Sequence, residues 1–215
     1  MTIQNLAPAR SVSFAPLRLG FHSGADDAFN YGQTASPAIL SIAEGGSGSA
    51  WFPAFAAADP TATLGSVGRA LLPGTTANNT FRVVPLFNPF FSFASMVLPS
   101  NDLFLGNDSP VAFRLFDRAG GRALGSISQR GRDIWDAGSE VADPANAAFV
   151  VGGNNSLRTG AGEISRISFQ GTPVPAPPAV LLAVVAAGCV AVRSRRRASS
   201  AVAPVPAARP PAAGC

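Results

Sequence analysis

Lysine is absent from this 215-residue chain, and histidine and tyrosine occur once each. With His22 as its one imidazole the chain cannot build a site from several histidines, and any Ser-His-Asp triad would have to use His22 as its base. His22 follows Gly20-Phe21 at the end of a strand pattern, a position that reads as a hydrogen-bonded structural histidine. Cysteine occurs twice. Cys189 lies inside an apolar run and Cys215 is the last residue, so the body of the chain has to fold without disulfides and zinc has too few ligands. The glycine-rich stretch Gly45-Gly46-Ser-Gly48 lacks the Lys-Ser/Thr ending of a phosphate-binding loop.

Charge is scarce as well. Charged residues make up 13% of the chain against 47% hydrophobic, with 22 Gly and 19 Pro. Helices facing water need more charge than this, so the composition favours a turn-rich β protein. The net charge of +4 is carried by arginine alone and unevenly: up to Pro178, 11 Arg meet 12 acids, whereas Arg193, Arg195, Arg196, Arg197 and Arg209 have no acidic companions. The body is near neutral and the basicity belongs to the tail. A nucleic-acid face needs basic residues spread over the folded surface, so nucleic acid is not an expected partner.

Between the ends the apolar pattern is short and has a period of two. Phe91-Ser-Phe-Ala-Ser-Met-Val-Leu alternates as a half-buried strand does. Further strands are expected over Ser11–Phe21, Phe81–Val84, Val111–Phe116, Ala147–Val151 and Ile164–Phe169, separated by Gly, Asn, Asp and Pro clusters. One short helix is expected, with Ser36 as N-cap, Pro37 at its first position and Gly45-Gly46 closing it. The expected fold is all-β, an antiparallel β-sandwich with that one helix over residues 1–170, monomeric and large enough to bury its own core.

Acids are few, yet Asp133, Asp136 and Glu140 crowd one loop, Arg132-Asp-Ile-Trp-Asp-Ala-Gly-Ser-Glu140. Gly138 permits a positive-φ turn that brings Asp136 and Glu140 toward one point. Asp102 opens a second loop after the best strand. A hard cation such as Ca²⁺ takes six to eight oxygens, so two or three carboxylates with loop carbonyls and water suffice. The spacing alone is equally compatible with solvated or turn-capping acids.

The runs Phe93-Ala-Ser-Met-Val-Leu-Pro-Ser-Asn-Asp-Leu-Phe-Leu-Gly106 and Trp135-Asp-Ala-Gly-Ser-Glu140, with the opening Phe14-Ala-Pro16 and Leu19-Gly20-Phe21-His22-Ser-Gly24, resemble the spondin domain found in F-spondin and mindin. The resemblance spans about Thr2 to Gln170. It implies a β-sandwich with a calcium site formed by Asp102, Asp136 and Glu140, the last standing where the family has Asp. It also implies adhesion or matrix interaction, with an extracellular matrix, polysaccharide or surface protein as partner. The thrombospondin-type repeats of animal relatives are absent from this sequence.

The C-terminal stretch has a different character. Residues 171–178 include Pro173, Pro175, Pro177 and Pro178 and form an extended spacer. Ala179–Val192 is wholly apolar or small, about 21 Å if helical against a hydrocarbon core of about 30 Å, and an Arg cluster follows at Arg193–Arg197. Residues 179–197 are expected to form a short transmembrane or sorting helix with its arginines on the cytoplasmic side. Spacer, apolar run and Arg cluster together resemble the PEP-CTERM sorting signal of bacterial envelope proteins, with Ala176 where that signal has Glu. Residues 198–215 are a Pro/Ala-rich piece expected to be disordered. Met1–Leu6 shows neither a basic nor an apolar signal region, so export would require a start upstream of Met1. The expected function is an exported or envelope-held calcium-binding module without catalysis. The alternatives are an envelope hydrolase using the acids as acid and base, and a structural matrix protein without metal.

Overall fold

The structure, a computed structural model, describes residues 1–139 and 162–172. The chain divides into two units, Met1–Gly171 and Thr172–Cys215, and the architecture below is that of the first. Its strands are β1 (Thr2–Asn5), β2 (Ser13–Phe14), β3 (Leu17–His22), β4 (Thr63–Val67), β5 (Thr76–Asn78), β6 (Phe90–Leu98), β7 (Leu103–Gly106), β8 (Ser126–Arg130), β9 (Ile134–Asp136) and β10 (Glu163–Ser168). Two helices, α1 (Pro37–Ala43) and α2 (Trp51–Ala58), lie between β3 and β4.

Every strand pairing is antiparallel. One sheet runs β5-β1-β10-β8; the other runs β4-β3-β6-β7-β9, with β2 also on β6. Ile3, Ile127 and Ile167 of the first sheet and Leu17, Leu19, Phe91, Phe93, Leu103 and Leu105 of the second belong to one buried cluster. The two sheets therefore share a core, which Phe169 crosses to meet the Phe91 ring at 5.0 Å, edge to face. Burying an aromatic or branched side chain of this size contributes ~2–3 kcal/mol. At the rim, Asn5 is fully buried: its amide donates to the carbonyls of Val12 and Leu71, and its Oδ1 accepts from the Ala7 amide.

Strand β6 was expected to be half-buried, and it is buried on both faces instead. Phe91, Phe93 and Val97 face the shared core, whereas Ala94 belongs to a second cluster with Ile39, Ile42, Trp51, Phe55 and Phe104. The helices supply that second layer. Helix α1 starts as its sequence predicts, with the Ser36 hydroxyl accepting from the Ile39 amide. Helix α2 is an addition to the single expected helix. Its N-cap, Ala50, makes no side-chain cap bond, and burial of Trp51 and Phe55 holds it in place. Gly20 on β3 makes room for it: a Cβ there would lie 2.5 Å from the Phe55 ring.

The expected strand Ser11–Phe21 is split by Ala15-Pro16 into β2 and β3, and Ile164–Phe169 corresponds to β10. Phe81–Val84 forms no strand, and Val111–Phe116 forms only isolated bridges through Arg114 and Phe116. Pro85 and Pro110 border these segments and remove donors that a ladder would use. Ile134–Asp136, expected within a loop, is the edge strand β9. Ala147–Val151, Glu140 and residues 173–215, including the apolar run and Arg cluster, lie outside the described residues. Among the described residues no helix is long and apolar enough to cross a membrane.

Candidate metal centre

The end of β6 leads into β7 through a four-residue connection that Ser100 closes. Its hydroxyl donates to the Val97 carbonyl and accepts from the Leu103 amide. Asp102 is the last residue before β7, and a bend there takes it out of the strict pleat of that strand. Leu103 faces Asp136 across the β7–β9 ladder, and the Ala137 amide donates to the Asp102 carbonyl at 3.1 Å. The topology thus delivers two of the expected metal ligands to the same end of two neighbouring strands, although 34 positions separate them in sequence. Trp135 fixes β9 from its other face, donating from Nε1 to the Gly106 carbonyl and meeting the Phe29 ring at 5.1 Å.

Both carboxylates are buried, at 5% exposure each. Oδ2 of Asp102 accepts from the Ser139 amide at 2.9 Å and from its hydroxyl at 3.2 Å. Oδ1 of Asp136 accepts from the Gly138 amide at 2.8 Å. Gly138 has φ of 68°, the left-handed conformation expected for this turn. These neutral donors orient the two acids through the 136–139 turn. Buried, pre-oriented carboxylate oxygens at a loop corner are the donor chemistry a hard divalent cation takes. Glu140, the third expected ligand, follows directly on Ser139 and lies outside the described residues. Among the described residues no group of three His, Cys, Asp or Glu side chains is placed to hold a metal. Asp133 is not drawn to this corner. It sits at the far end of β9, where Oδ2 accepts from the Arg130 amide at 2.7 Å and caps the short helical turn Gly131–Asp133.

A second group of polar side chains, at the opposite end of the six-stranded sheet, was not legible in the sequence beyond His22. His22 is fully buried. Its Nδ1 accepts from the Gly24 amide at 3.1 Å, which leaves the proton on Nε2 to be donated to Ser92 Oγ at 2.9 Å. Asn107 donates to the same hydroxyl. Burial lowers the His22 pKa to about 4, with nearby Asp59 opposing the shift. The ring is therefore neutral at physiological pH and both its nitrogens are committed, as a structural histidine requires. Asp59 follows α2 and accepts from the Ser23 amide and from the Thr61 amide and hydroxyl. Burial pushes its carboxyl up, but those hydrogen bonds outweigh it and hold it at about 2. Asp26 is also buried, and among the described residues its Oδ2 has no hydrogen-bond partner. Burial, together with Asp27 and Asp59, raises its pKa to about 6.

The chain matches no protein-family model, and no curated protein matches it significantly.

Proposed function

We propose that this chain is a spondin-like β-sandwich module that binds calcium through Asp102, Asp136 and Glu140, and that it works without catalysis at the cell envelope or outside it. The observation that carries the reading is the convergence of Asp102 and Asp136, both buried, on one corner where backbone amides already orient their carboxylates. A calcium ion there would take oxygens from these acids and would tie the end of β9 and the turn after it to β7. Such a clamped corner is a rigid surface for adhesion of a monomeric sandwich to a matrix polysaccharide or surface protein. The apolar run and Arg cluster of the tail support retention at a membrane by a PEP-CTERM-like signal.

Against a hydrolase with His22 as its base stands the state of the ring: neutral and with both nitrogens engaged, it has no free nitrogen for proton transfer to a substrate. The metal-free structural reading draws on the same amide bonds, because they also cap the 136–139 turn. Isothermal calorimetry with CaCl₂ separates the two. Calcium-dependent heat in the wild type that is lost in both Asp102→Asn and Asp136→Asn supports the module. No heat in the wild type reduces the two acids to turn caps.

A further inference from the structure

At the His22 end of the sheet, away from the metal corner, the segment entering β6 makes a protruding apolar turn. Val84, Leu86 and Phe87 are 49%, 80% and 53% exposed. The turn is held firmly. The Phe87 and Asn88 amides both donate to the Val84 carbonyl, and the Asn88 side chain, itself buried, reaches the carbonyls of Phe21 and Thr61 and accepts from the Val84 amide. Folding thus spends a buried asparagine on holding Leu86 and Phe87 out in water.

The surroundings are basic. Arg82 is exposed in the same segment, and Arg114 is exposed with its guanidinium over the Phe90 ring at 4.6 Å. The 117–121 turn, which carries exposed Arg118, comes up against Pro85. Asp117, the one acid among residues 81–90 and 111–121, is occupied with the amides of Ala119 and Gly121. Asp59, two residues from the Thr61 carbonyl that Asn88 holds, is buried and occupied with Ser23 and Thr61. None of the three arginines forms an ion pair among the described residues.

The geometry points to an anionic lipid surface as the partner of this end of the domain, with Leu86 and Phe87 entering the interface and Arg82, Arg114 and Arg118 meeting headgroup phosphates. Exposed apolar side chains with arginines in the same segment and on the neighbouring turn suit the boundary between headgroups and acyl chains. A near-neutral body makes the local positive charge the feature that selects anionic lipid. This inference does not depend on the calcium reading.

The test is a local one, so that a membrane-binding tail cannot imitate it. Leu86→Trp is made in the full chain and mixed with vesicles of brominated phosphatidylcholine, alone or with a quarter of phosphatidylglycerol, and the emission of Trp51 and Trp135 is subtracted using the wild type. The expected result is a blue shift and bromine quenching of the new tryptophan only when phosphatidylglycerol is present. Each of Arg82→Gln and Arg118→Gln should weaken the partition about fivefold, and Phe87→Ser about tenfold. Quenching that is absent, that is equal on pure phosphatidylcholine, or that is unchanged by the arginine substitutions overturns the inference. So does a blue shift that follows protein concentration without lipid, which would assign the turn to self-association.

Discussion

Lowering the pH from 7 to about 4.5 sets two buried groups at the His22 end against each other. His22 has a folded pKa of about 4 against an ordinary 6.5. The unfolded chain therefore takes up a proton that the folded chain refuses, and stability falls as the pH drops below 6.5, levelling off near 4. The structure shows why: a protonated Nδ1 would face the Gly24 amide, donor against donor. Asp26 runs the other way. Its folded pKa of about 6 lies above the ordinary 3.8, so the charged carboxylate destabilises the fold at pH 7 and protonation relieves this between about 6 and 3.8. At 1.36 kcal/mol per pH unit each shift corresponds to ~3 kcal/mol, and residual solvent screening reduces each to roughly 1.5 kcal/mol. The two nearly cancel, so urea denaturation of the wild type should show little change in stability over this window. Asp26→Asn unmasks the histidine: it should be ~1.5 kcal/mol more stable than wild type at pH 7, with the advantage lost on acidification. His22→Gln should carry a fixed cost but gain stability as the pH falls. The reasoning is refuted if Asp26→Asn gives no gain at pH 7, or if the wild type loses stability as steeply as that variant.

Three further outcomes follow from the same structure. Asn5→Ala leaves the carbonyls of Val12 and Leu71 and the Ala7 amide without their buried partner, and should lower the stability by ~2–3 kcal/mol in urea titration. Gly20→Val drives a side chain into the Phe55 ring and should cost ~1–3 kcal/mol through overpacking; Gly20→Val with Phe55→Ala should recover part of that loss. Deleting residues 174–215 should leave the sandwich folded by circular dichroism and remove the salt-resistant share of the protein from the membrane fraction of an exporting host; an unchanged salt-resistant share would rule out an anchor in the tail.

Local chemistry made some of this fold readable in sequence. Ser36, Pro37 and Gly45-Gly46 mark both ends of α1 with capping residues, so that helix could be placed from eleven positions. Strand β6 is nine residues long and its Phe91-Ser-Phe93 alternates, which marks it as a strand, although burial on both faces removes the alternation further along. By contrast β7 and β9 have four and three residues, too few for a period, and their pairing is fixed by tertiary packing around Phe104 and Trp135. Helix α2 has no side-chain cap and owes its place to Trp51 and Phe55, whose partners lie far away in sequence. The apolar runs at Phe81 and Val111 have strand composition but are cut off from a ladder by prolines on their borders. Asp102 and Asp136 stood out singly by their loop placement, but only the family resemblance joined them in one site, because a separation of 34 positions carries no periodic signal. Nothing local marked Asp59, since it comes near His22 only through the placement of α2, which it follows.

The central claim is that Asp102 and Asp136, with Glu140, hold calcium. Thermal melts of the full chain with calcium and with chelator, for the wild type and Asp136→Asn, test it most directly. A ligand that binds only the folded state at a hundredfold excess over Kd adds about 2.7 kcal/mol. The wild type should therefore melt several degrees higher in calcium than in chelator, while Asp136→Asn, which removes charge but not volume, should melt at one temperature in both. Equal wild-type melting temperatures with and without calcium would contradict the claim and leave both acids as caps of the 136–139 turn.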